Sequence, residues 1–421
     1  MHTLAFLEPG HFHATLTLRE PTARVSPEVF VYGTAGPELD DFLALVDRFN
    51  RRAERPTRWR PRVQVCADPL ARLLAERPAD LVVLAGRNGG KARVIRRLHE
   101  AGLPVLADKP WLVEPGDLDD IRASLAGPPV VREMMTGRRD VTARLVKRLV
   151  DDPALFGGFA RDEAPAIEQE SVHHFEKHVD SAPLRRPWWF FDSRVQGGGA
   201  VDIPTHLVDQ AQWWLDAEPG RAPTLLSAHG WSTPVPIDVF TRVSGTAEVP
   251  ADLRHAVAGD ALRVFSNAEL TYELAGVTVR ALTRWEISPP PGGGDASRVV
   301  LHGRTALIRI EQSTATAFRR RLTVEARGDA TATARALDAA LAAAGAELPG
   351  VTVKPLASGA HEIVVPPGLD PGHEAHFALL LDELLDWLDA GHWPAALAER
   401  TLVKYTLLAE AAAATSASSA E

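Results

Sequence analysis

The sequence predicts a two-domain α/β protein, in which a doubly wound parallel sheet is followed by an α+β domain with a large, mainly antiparallel open sheet. Three observations lead to this prediction. The chain has 421 residues, too many for one average hydrophobic core. Short β-rich runs alternate with helical patterns over the first third of the chain. Longer strand-like segments that do not alternate with helices follow. We therefore expect a Rossmann-like domain over residues 1–135 and a second domain over residues 136–410.

The first domain is predicted from strands and helices in regular alternation. Apolar residues three and four positions apart mark the helices. The six expected strands are TLAFLE, EVFVYG, RVQVCA, DLVVLAG, LPVLAD and PVVREMM, and the helices between them are HATLTLRE, DDFLALVDRFNRRA, DPLARLLAERP, GKARVIRRLHEAG and EPGDLDDIRASLAG. In a doubly wound sheet the ligand crevice lies at the carboxyl ends of the strands. The candidate segments are therefore those that directly follow strands, EPGHFH, AGRNGG, ADKPW and MMTGRR.

The second domain begins with helices and continues with strands. The expected helices VTARLVKRLVDD and IPTHLVDQAQWWLDA flank a loop-rich aromatic stretch, PLRRPWWFFDSRVQGGG. The strand-like segments that follow are TLLSAHGWS, ALRVFSNAELTYELAGVTVRALTRWEI, SRVVLHG and TALIRIEQ. Residues 312–376 are expected to form an insertion with an alanine-rich helix and a hairpin, VTVKPLASGAHEIVVP. Two more helices, HEAHFALLLDELLDWLDAG and AALAERTLVKYTLLAEAA, precede a tail at 411–421 that is predicted to be disordered.

Composition narrows the classes of function. The formal net charge of -9 argues against nucleic acid and anionic membrane as partners. The single cysteine, Cys66, excludes an intrachain disulfide framework and is typical of a reducing compartment. No apolar run approaches the length of a membrane span, and no signal-peptide pattern opens the chain. We therefore expect a cytoplasmic protein that acts on a small molecule.

The segment VLADKPW ends a buried strand with Asp108, Lys109 and Pro110. One interpretation is a strand exit with two charges and a proline. The other is functional, because the fifth strand of a doubly wound sheet opens into the ligand crevice. A lysine there can hydrogen-bond a substrate hydroxyl and ease its deprotonation.

A second motif, GGGAVDIPTHLVDQ, places Asp202 and His206 four residues apart, so that both project from one face of a helix. Asp209 lies three residues beyond His206. A histidine flanked by carboxylates has its ring orientation and proton affinity set, as a general base at neutral pH requires. The structural alternative makes Asp202 a helix N-cap and His206 a packed polar residue.

Together, the two motifs resemble those of the Gfo/Idh/MocA family of NAD(P)-dependent sugar oxidoreductases. The family motif EKP is matched by Asp108-Lys109-Pro110, and the triple glycine with its aspartate and histidine is matched by Gly197 to His206. The resemblance covers about residues 1–310. It implies a Rossmann domain, a carbohydrate substrate, and a C-terminal domain whose open sheet forms homo-oligomers. The segments GHFHA, SVHHF and GHEAHF are similar to those of one branch of the family with its own C-terminal domain.

The resemblance also implies roles for individual residues. Lys109 is expected near the nicotinamide and the reacting hydroxyl, His206 to exchange the hydroxyl proton, and Asp202 to position the substrate. Hydride transfer from a sugar carbon needs such a base and such a cation. The expected cofactor is NAD or NADP, with NAD favoured. Its expected contacts are Pro9, Gly10, His11, Phe12, His13, Tyr32, Ala85, Gly86, Arg87, Asn88, Asp108 and Lys109.

The chain departs from the usual dinucleotide site in three ways. Only Gly10 remains of the fingerprint GxGxxG. Arg87 and Lys91 replace the proline and histidine that usually surround Asn88. No acidic residue ends the second strand, so the choice between NAD and NADP stays open. The backbone N–H groups from Gly10 to His13, at a helix N-terminus, are expected to bind the phosphates instead.

Several histidines cluster along the chain. His373 and His376 are three residues apart and could bind a metal with Glu374 or His173. Isolated pairs of this kind are common, so no metal is expected. Trp188 could stack on a sugar ring or pack in the core. The expected substrate-binding residues are His173, His174, Arg186, Trp188, Asp192 and His373.

Three functions are compatible with these motifs. The leading hypothesis is an NAD(P)-dependent oxidoreductase of a carbohydrate or polyol. The first alternative is an enzyme that cleaves glycosides by transient oxidation and elimination at a retained NAD. The second alternative is a non-catalytic regulator that binds a sugar or a nucleotide.

Overall fold

A computed structural model of the chain describes residues 1–179, 182–216 and 221–418. The chain forms two compact units. The first unit contains Met1–Thr136 and Pro371–Tyr405, and the second contains Gly137–Asp370 and Thr406–Glu421. Among the described residues, no helix is long and apolar enough to cross a membrane.

The first unit contains the predicted six-stranded parallel sheet. Its strand order is β3-β2-β1-β4-β5-β6. This is the doubly wound order, in which successive strands are added outward in one direction from β1 to β3 and in the other direction from β4 to β6. The central strands read as continuous apolar runs because helices cover both faces of such a sheet. The elements are β1 (Leu4–Leu7), α1 (His13–Leu16), β2 (Glu28–Gly33), α2 (Pro37–Arg51), β3 (Arg60–Val65), α3 (Pro69–Glu76), β4 (Leu81–Leu84), α4 (Lys91–Glu100), β5 (Val105–Ala107), α5 (Asp117–Ser124) and β6 (Val131–Glu133).

The second unit contains a large mixed sheet with the order β10-β12-β13-β7-β14-β15-β16-β18-β17, to which β11 adds at β12. Its strand pairs are antiparallel except for the parallel pair of β13 and β7. The fold class predicted from the sequence is thereby confirmed for both sheets. The elements are α6 (Val141–Asp151), β7 (Ile167–His174), β8 (His178–Val179), β9 (Ala182–Pro183), α7 (Ser193–Gln196), α8 (Pro204–Trp214), β10 (Thr224–Pro236), α9 (Ile237–Ser244), β11 (Val257–Ala258), β12 (Ala261–Leu274), β13 (Val277–Glu286), β14 (Ala296–His302), β15 (Ala306–Gln312), β16 (Arg321–Ala326), α10 (Ala330–Ala344), β17 (Thr352–Pro355) and β18 (His361–Val364).

The predicted insertion at 312–376 extends this sheet. β16 pairs with β15, β18 pairs with β16, and the predicted hairpin forms between β17 and β18. The tail that was predicted to be disordered from residue 411 is helical as far as Ser418. The last helices are α11 (Ala375–Ala390) and α12 (Ala396–Ser418), and α12 buries Ala411 and Ala412. Residues 419–421 of the predicted tail lie outside the described residues.

Residues 371–405, assigned to the second domain on sequence grounds, pack with the first unit instead. The reason is the apolar face of α11. Its buried side chains share one hydrophobic core with β1, β2 and α2, and they are Phe377, Leu380, Leu381, Leu384 and Leu385. A sequence pattern identifies this helix as amphipathic without showing which sheet it covers.

Candidate functional site

The first part of the candidate site is the carboxyl edge of the parallel sheet, where the turn after β1 meets the end of β4. A Cβ atom on Gly86 would lie 2.4 Å from the carbonyl oxygen of Glu8. The N–H of His11 donates to the carbonyl of Ala85 at 3.0 Å. At Gly10, the one glycine kept from the fingerprint, a Cβ would meet nothing closer than 3.6 Å. The close approach of the two segments therefore depends on Gly86.

The turn differs from the expected phosphate loop. Its helix α1 has four residues, too few for a substantial helix dipole. The N–H of Gly10 donates to the carbonyl of Glu8 at 2.7 Å, and that of His11 is used as described above. Two of the four N–H groups predicted to bind phosphate are thus engaged within the protein. A phosphate at this turn would have side chains as its main donors.

Two carboxylates that the sequence did not single out lie near the end of β2. Glu8 follows β1 in a left-handed conformation with φ of 43°, and Thr34 donates to its carboxylate at 3.5 Å. Glu38, in the first turn of α2, contacts Arg87 at 3.1 Å and lies against Gly10. The sequence signal for Glu38 was its place directly after Gly36-Pro37, a helix start. An acceptor for a ribose diol is therefore available although no acid ends β2.

Tyr32, predicted to contact the cofactor, has a buried side chain whose hydroxyl donates to Glu76 of α3 at 2.5 Å. Burial and the neighbouring Glu76 carboxylate raise the pKa of the Tyr32 hydroxyl. The hydroxyl is thus engaged with α3.

His11, His13 and Asp108 form a compact cluster at this edge. His13 Nδ1 lies 3.0 Å from Asp108 Oδ1, and His11 Nδ1 lies 3.0 Å from Asp108 Oδ2. Burial lowers the pKa of His13 to about 4, although the Asp108 charge opposes this shift. Burial disfavours the charged form of Asp108, but His13 and His11 outweigh it and hold the pKa of Asp108 well below its usual range. At neutral pH the cluster therefore contains an ionised Asp108 and a neutral His13.

The segment that carries Lys109 is held from two sides. The Lys109 N–H donates to Asp108 Oδ1 at 2.9 Å. Lys91, a buried cation at the start of α4, donates to Asn88 Oδ1 at 2.5 Å and to the Asp108 carbonyl at 3.1 Å. The sequence analysis noted Lys91 as a departure from the family pattern and predicted no role for it. In the structure its ammonium group connects the end of β4 to the end of β5.

In the second unit, the triple glycine approaches strand β12. A Cβ atom on Gly199 would lie 2.3 Å from the carbonyl carbon of Asn267, and Gly197 has φ of 96°. Asp202 follows at 6% exposure, and helix α8 begins at Pro204 with Ile203 as its N-cap. Asp202 is therefore not the N-cap of α8, which removes the structural alternative considered for it. His206 lies half-buried in the first turn of α8.

Asp202 lines a pocket of the second unit with aromatic walls. Phe175, Phe190 and Trp285 contribute the rings, and Gln196 contributes an amide. The ring centres of Phe175 and Trp285 lie 5.1 Å apart, and those of Phe190 and Trp285 lie 5.4 Å apart. The pocket is narrow, with a free volume of about 10 Å³, and its walls combine aromatic faces with a carboxylate.

Arg186 stands over two of these rings. Its guanidinium carbon lies 4.4 Å from the ring centre of Phe190 and 5.2 Å from that of Trp285. It donates to the carbonyls of Phe175 at 3.0 Å and His174 at 2.9 Å. Burial lowers its pKa to about 10, against the attraction of Asp295 and Asp202. Arg186 therefore contacts the rings of Phe190 and Trp285 and binds the backbone beside them. It keeps its positive charge at neutral pH.

His173 and His174 share Asp295, a carboxylate that the sequence reasoning missed. The Nδ1 atoms of both histidines lie 3.3 Å from Asp295 oxygens, and Lys177 donates to Asp295 at 2.6 Å. The ring of His173 stacks on Trp285 with centres 5.1 Å apart. Asp295 is the last residue of the PPPGGGD segment, whose composition indicated only a flexible loop.

Other predicted residues have structural partners. Asp209 forms a two-pronged ion pair with Arg138, with both N–O distances 2.9 Å. Asp192, predicted to bind substrate, caps α7 by accepting from the Arg194 N–H at 3.0 Å and also pairs with the Arg194 guanidinium. Trp188 is half-buried on a short 3₁₀ helix.

His373, grouped with His173 in the sequence analysis, belongs to the first unit. Its ring centre lies 6.5 Å from that of His13 and 6.1 Å from that of His376. The structure therefore places His373 beside the cluster of His11, His13 and Asp108.

The two units, each with its candidate residues, have the architecture of the Gfo/Idh/MocA oxidoreductases. The chain belongs to this family, because residues 145–416 match the family described as "Putative oxidoreductase C terminal domain". A comparison with curated proteins found no match.

Solved structures support the assignment. The "putative oxidoreductase" from Parabacteroides merdae ATCC 43184 is 34% identical, with 99% of this chain and 98% of that chain covered and a TM-score of 0.95. GenD2 from gentamicin A biosynthesis in complex with NAD is 14% identical, with 100% and 94% covered and a TM-score of 0.59. Levoglucosan dehydrogenase in its apo form is 14% identical, with 98% and 97% covered and a TM-score of 0.63. At 14% identity the last two show a similar fold alone.

Proposed function

We propose that the protein is an NAD(P)-dependent oxidoreductase of a carbohydrate or polyol. The observation that carries the proposal is that a chain of an oxidoreductase family keeps Lys109, Asp202 and His206, the residues that match the family motifs. Two distant structural relatives are a complex with NAD and a levoglucosan dehydrogenase, which agrees with such a cofactor and such a substrate.

The donor set at the edge of the parallel sheet fits a dinucleotide. Arg87 supplies positive charge for phosphates, and Arg87 and the imidazoles of His11 and His13 supply hydrogen-bond donors. Glu8 and Glu38 supply acceptors for a ribose diol and would repel a 2′-phosphate, which favours NAD over NADP. Ala85, Gly86, Asn88, Pro9 and Phe12 complete the proposed contact surface.

The bound nicotinamide would accept or return the hydride. In our proposal, the Lys109 ammonium stabilises negative charge on the reacting oxygen, and His206 exchanges the hydroxyl proton. Asp202 orients the sugar by accepting from its hydroxyl groups. Phe190 and Trp285 contact the apolar face of the sugar ring, a role that the sequence had suggested for Trp188.

The proposal is tested by replacing His206 in an assay of nicotinamide reduction. Purified protein is mixed with NAD⁺ or NADP⁺ and a panel of sugars, polyols and anhydrosugars. With an active substrate, His206→Gln should reduce kcat by about 100- to 10,000-fold, because general acid–base catalysis contributes that much. His229→Gln, at an exposed histidine of β10, is the matched control and should turn over at the wild-type rate. Equal turnover in both variants would contradict the proposed role of His206.

The same assay separates the alternatives. Glycoside cleavage without net formation of reduced nicotinamide would indicate the redox-assisted glycosidase. Sugar binding without turnover would indicate the regulator. In that case the variants His206→Gln and Lys109→Met should leave the function of the protein in the cell intact.

A further inference from the structure

The cluster of His11, His13 and Asp108 contains two imidazoles and a carboxylate with their ligand atoms close together. One ligand atom from each residue can be chosen so that all three lie within 4.8 Å of one another. The Asp108 carboxylate is buried at 2% exposure, and the two histidines are half-buried beside it. The cluster lies within the first unit, at the turn after β1 and the end of β5.

The spacing of these atoms fits a shared coordination sphere. The distance from each Nδ1 to the nearer Asp108 oxygen is 3.0 Å. Two atoms bound to one ion at about 2.1 Å are about 3.0 Å apart at the right angle of an octahedral site and about 3.4 Å apart in a tetrahedral one. The distance alone also fits hydrogen bonds, so a second observation is needed to distinguish the two arrangements.

That observation is the environment of His11 Nδ1. The atom is buried and lies 3.0 Å from Asp108 Oδ2, but this contact does not have the angular geometry of a hydrogen bond. A buried ring nitrogen without a hydrogen bond is costly. A cation between the nitrogen and the carboxylate would satisfy both atoms.

We propose that His11, His13 and Asp108 bind a divalent transition-metal ion. Two imidazoles with one carboxylate form a ligand set that suits Zn²⁺ and Fe²⁺, and three protein ligands leave coordination positions open for oxygen donors. His373, which precedes α11, is a further imidazole close to the site, with its ring centre 6.5 Å from that of His13. The site differs from the pair of His373 and His376 for which the sequence analysis weighed a metal.

The surrounding structure holds the ligands in place. The Lys109 N–H donates to Asp108 Oδ1, and the ring of His13 packs on Phe377 with centres 4.4 Å apart. Such outer contacts orient metal ligands and contribute to affinity. The inference goes beyond the proposed oxidoreductase function, because metal binding is measured without nucleotide or substrate.

The test uses the full-length protein after treatment with a chelator. Co²⁺ is titrated while its visible absorption is recorded, and Zn²⁺ is then added in competition. We expect one equivalent of Co²⁺ per chain, displaced by Zn²⁺. The variants Asp108→Asn, His11→Gln and His13→Gln should each weaken binding by more than the roughly 10- to 100-fold that loss of an outer contact costs.

His392→Gln, at an exposed histidine between α11 and α12, is the matched control and should bind as wild type does. Circular dichroism checks that each variant is folded. Absence of saturable binding in the wild-type protein would overturn the proposal, and so would unchanged affinity in all three folded ligand variants. Nucleotide binding in the absence of metal would leave the oxidoreductase proposal standing, so the two failures can be told apart.

Discussion

At the scale of single residues, the environment of a side chain decides its role more than its type does. Tyr405 and Tyr272 are both fully buried. The hydroxyl of Tyr405 donates to Glu133 and accepts from the Trp111 N–H at 2.8 Å. The hydroxyl of Tyr272 has no hydrogen-bond partner among the residues that the structure describes. Trp111 directly follows the Asp108-Lys109-Pro110 segment, so Tyr405 supports the segment that carries Lys109.

Replacing each tyrosine by phenylalanine should therefore have opposite consequences. Tyr405→Phe leaves the Trp111 N–H and the Glu133 carboxylate short of a partner, and we expect a loss of about 1–3 kcal/mol in the free energy of unfolding. Tyr272→Phe removes an unsatisfied hydroxyl, and we expect that free energy to stay unchanged or to increase. Urea unfolding of both variants measures the difference. Equal losses would contradict the assigned hydrogen bonds.

Asp295 predicts how stability depends on pH. Its burial raises its pKa, but the hydrogen bonds and charges of His173, His174 and Lys177 outweigh burial and lower the pKa well below the ordinary value of 3.8. A group with a lowered folded pKa stabilises the fold above its unfolded pKa, and this contribution is lost as the pH falls through the folded value.

The free energy of unfolding of the wild-type protein should therefore decrease from about pH 5 downward, and Asp295→Asn should decrease it at neutral pH and flatten the acid decline. Urea midpoints at a series of pH values measure both effects. Asp162→Asn, at an exposed aspartate, is the control and should follow the wild-type curve. An acid decline of unchanged steepness in Asp295→Asn would contradict this account.

At the scale of elements, sequence patterns predicted the buried strands well and the polar ones poorly. All six parallel strands are present, and the central strands β1, β4 and β5 are apolar runs. Strand β7, in the middle of the mixed sheet, was not predicted, because its sequence IEQESVHH is mostly polar. It is nevertheless paired on both sides, and Ile167, Gln169, Val172 and His174 are buried. Such a strand is defined by pairing with strands that are distant in the sequence, and a local sequence pattern carries no information about those partners.

The turn after β1 gives a prediction at the same scale. Gly86→Ala places a Cβ 2.4 Å from the Glu8 carbonyl oxygen, so we expect a loss of about 1–3 kcal/mol in the free energy of unfolding. Gly10→Ala meets only ordinary contacts at 3.6 Å and should change that free energy by less than about 0.5 kcal/mol. Urea unfolding compares the two variants. A larger loss in the free energy of unfolding for Gly10→Ala than for Gly86→Ala would contradict this account and indicate that Gly10 is the essential glycine of the turn.

At the scale of the whole molecule, the family and both sheets follow from the sequence, whereas the composition of the first unit does not. The lysine–proline motif and the triple glycine motif identified the family. Residues 371–405 return to the first unit and bring His373 beside His13. The partners of Asp108 and Asp209 likewise are residues distant in the sequence that only folding brings together. Motif spacing therefore predicted the candidate residues, and the structure shows the ion-pair partners of Asp108 and Asp209.

Binding of a nicotinamide nucleotide tests the central claim most directly. NAD⁺ and NADP⁺ are titrated separately into the full-length protein by isothermal calorimetry. We expect saturable binding of NAD⁺ at one site per chain, with weaker binding of NADP⁺, because Glu8 and Glu38 would repel a 2′-phosphate. Replacing Glu38 by glutamine should narrow the difference between the two nucleotides. Absence of saturable binding for both nucleotides would contradict the proposed function.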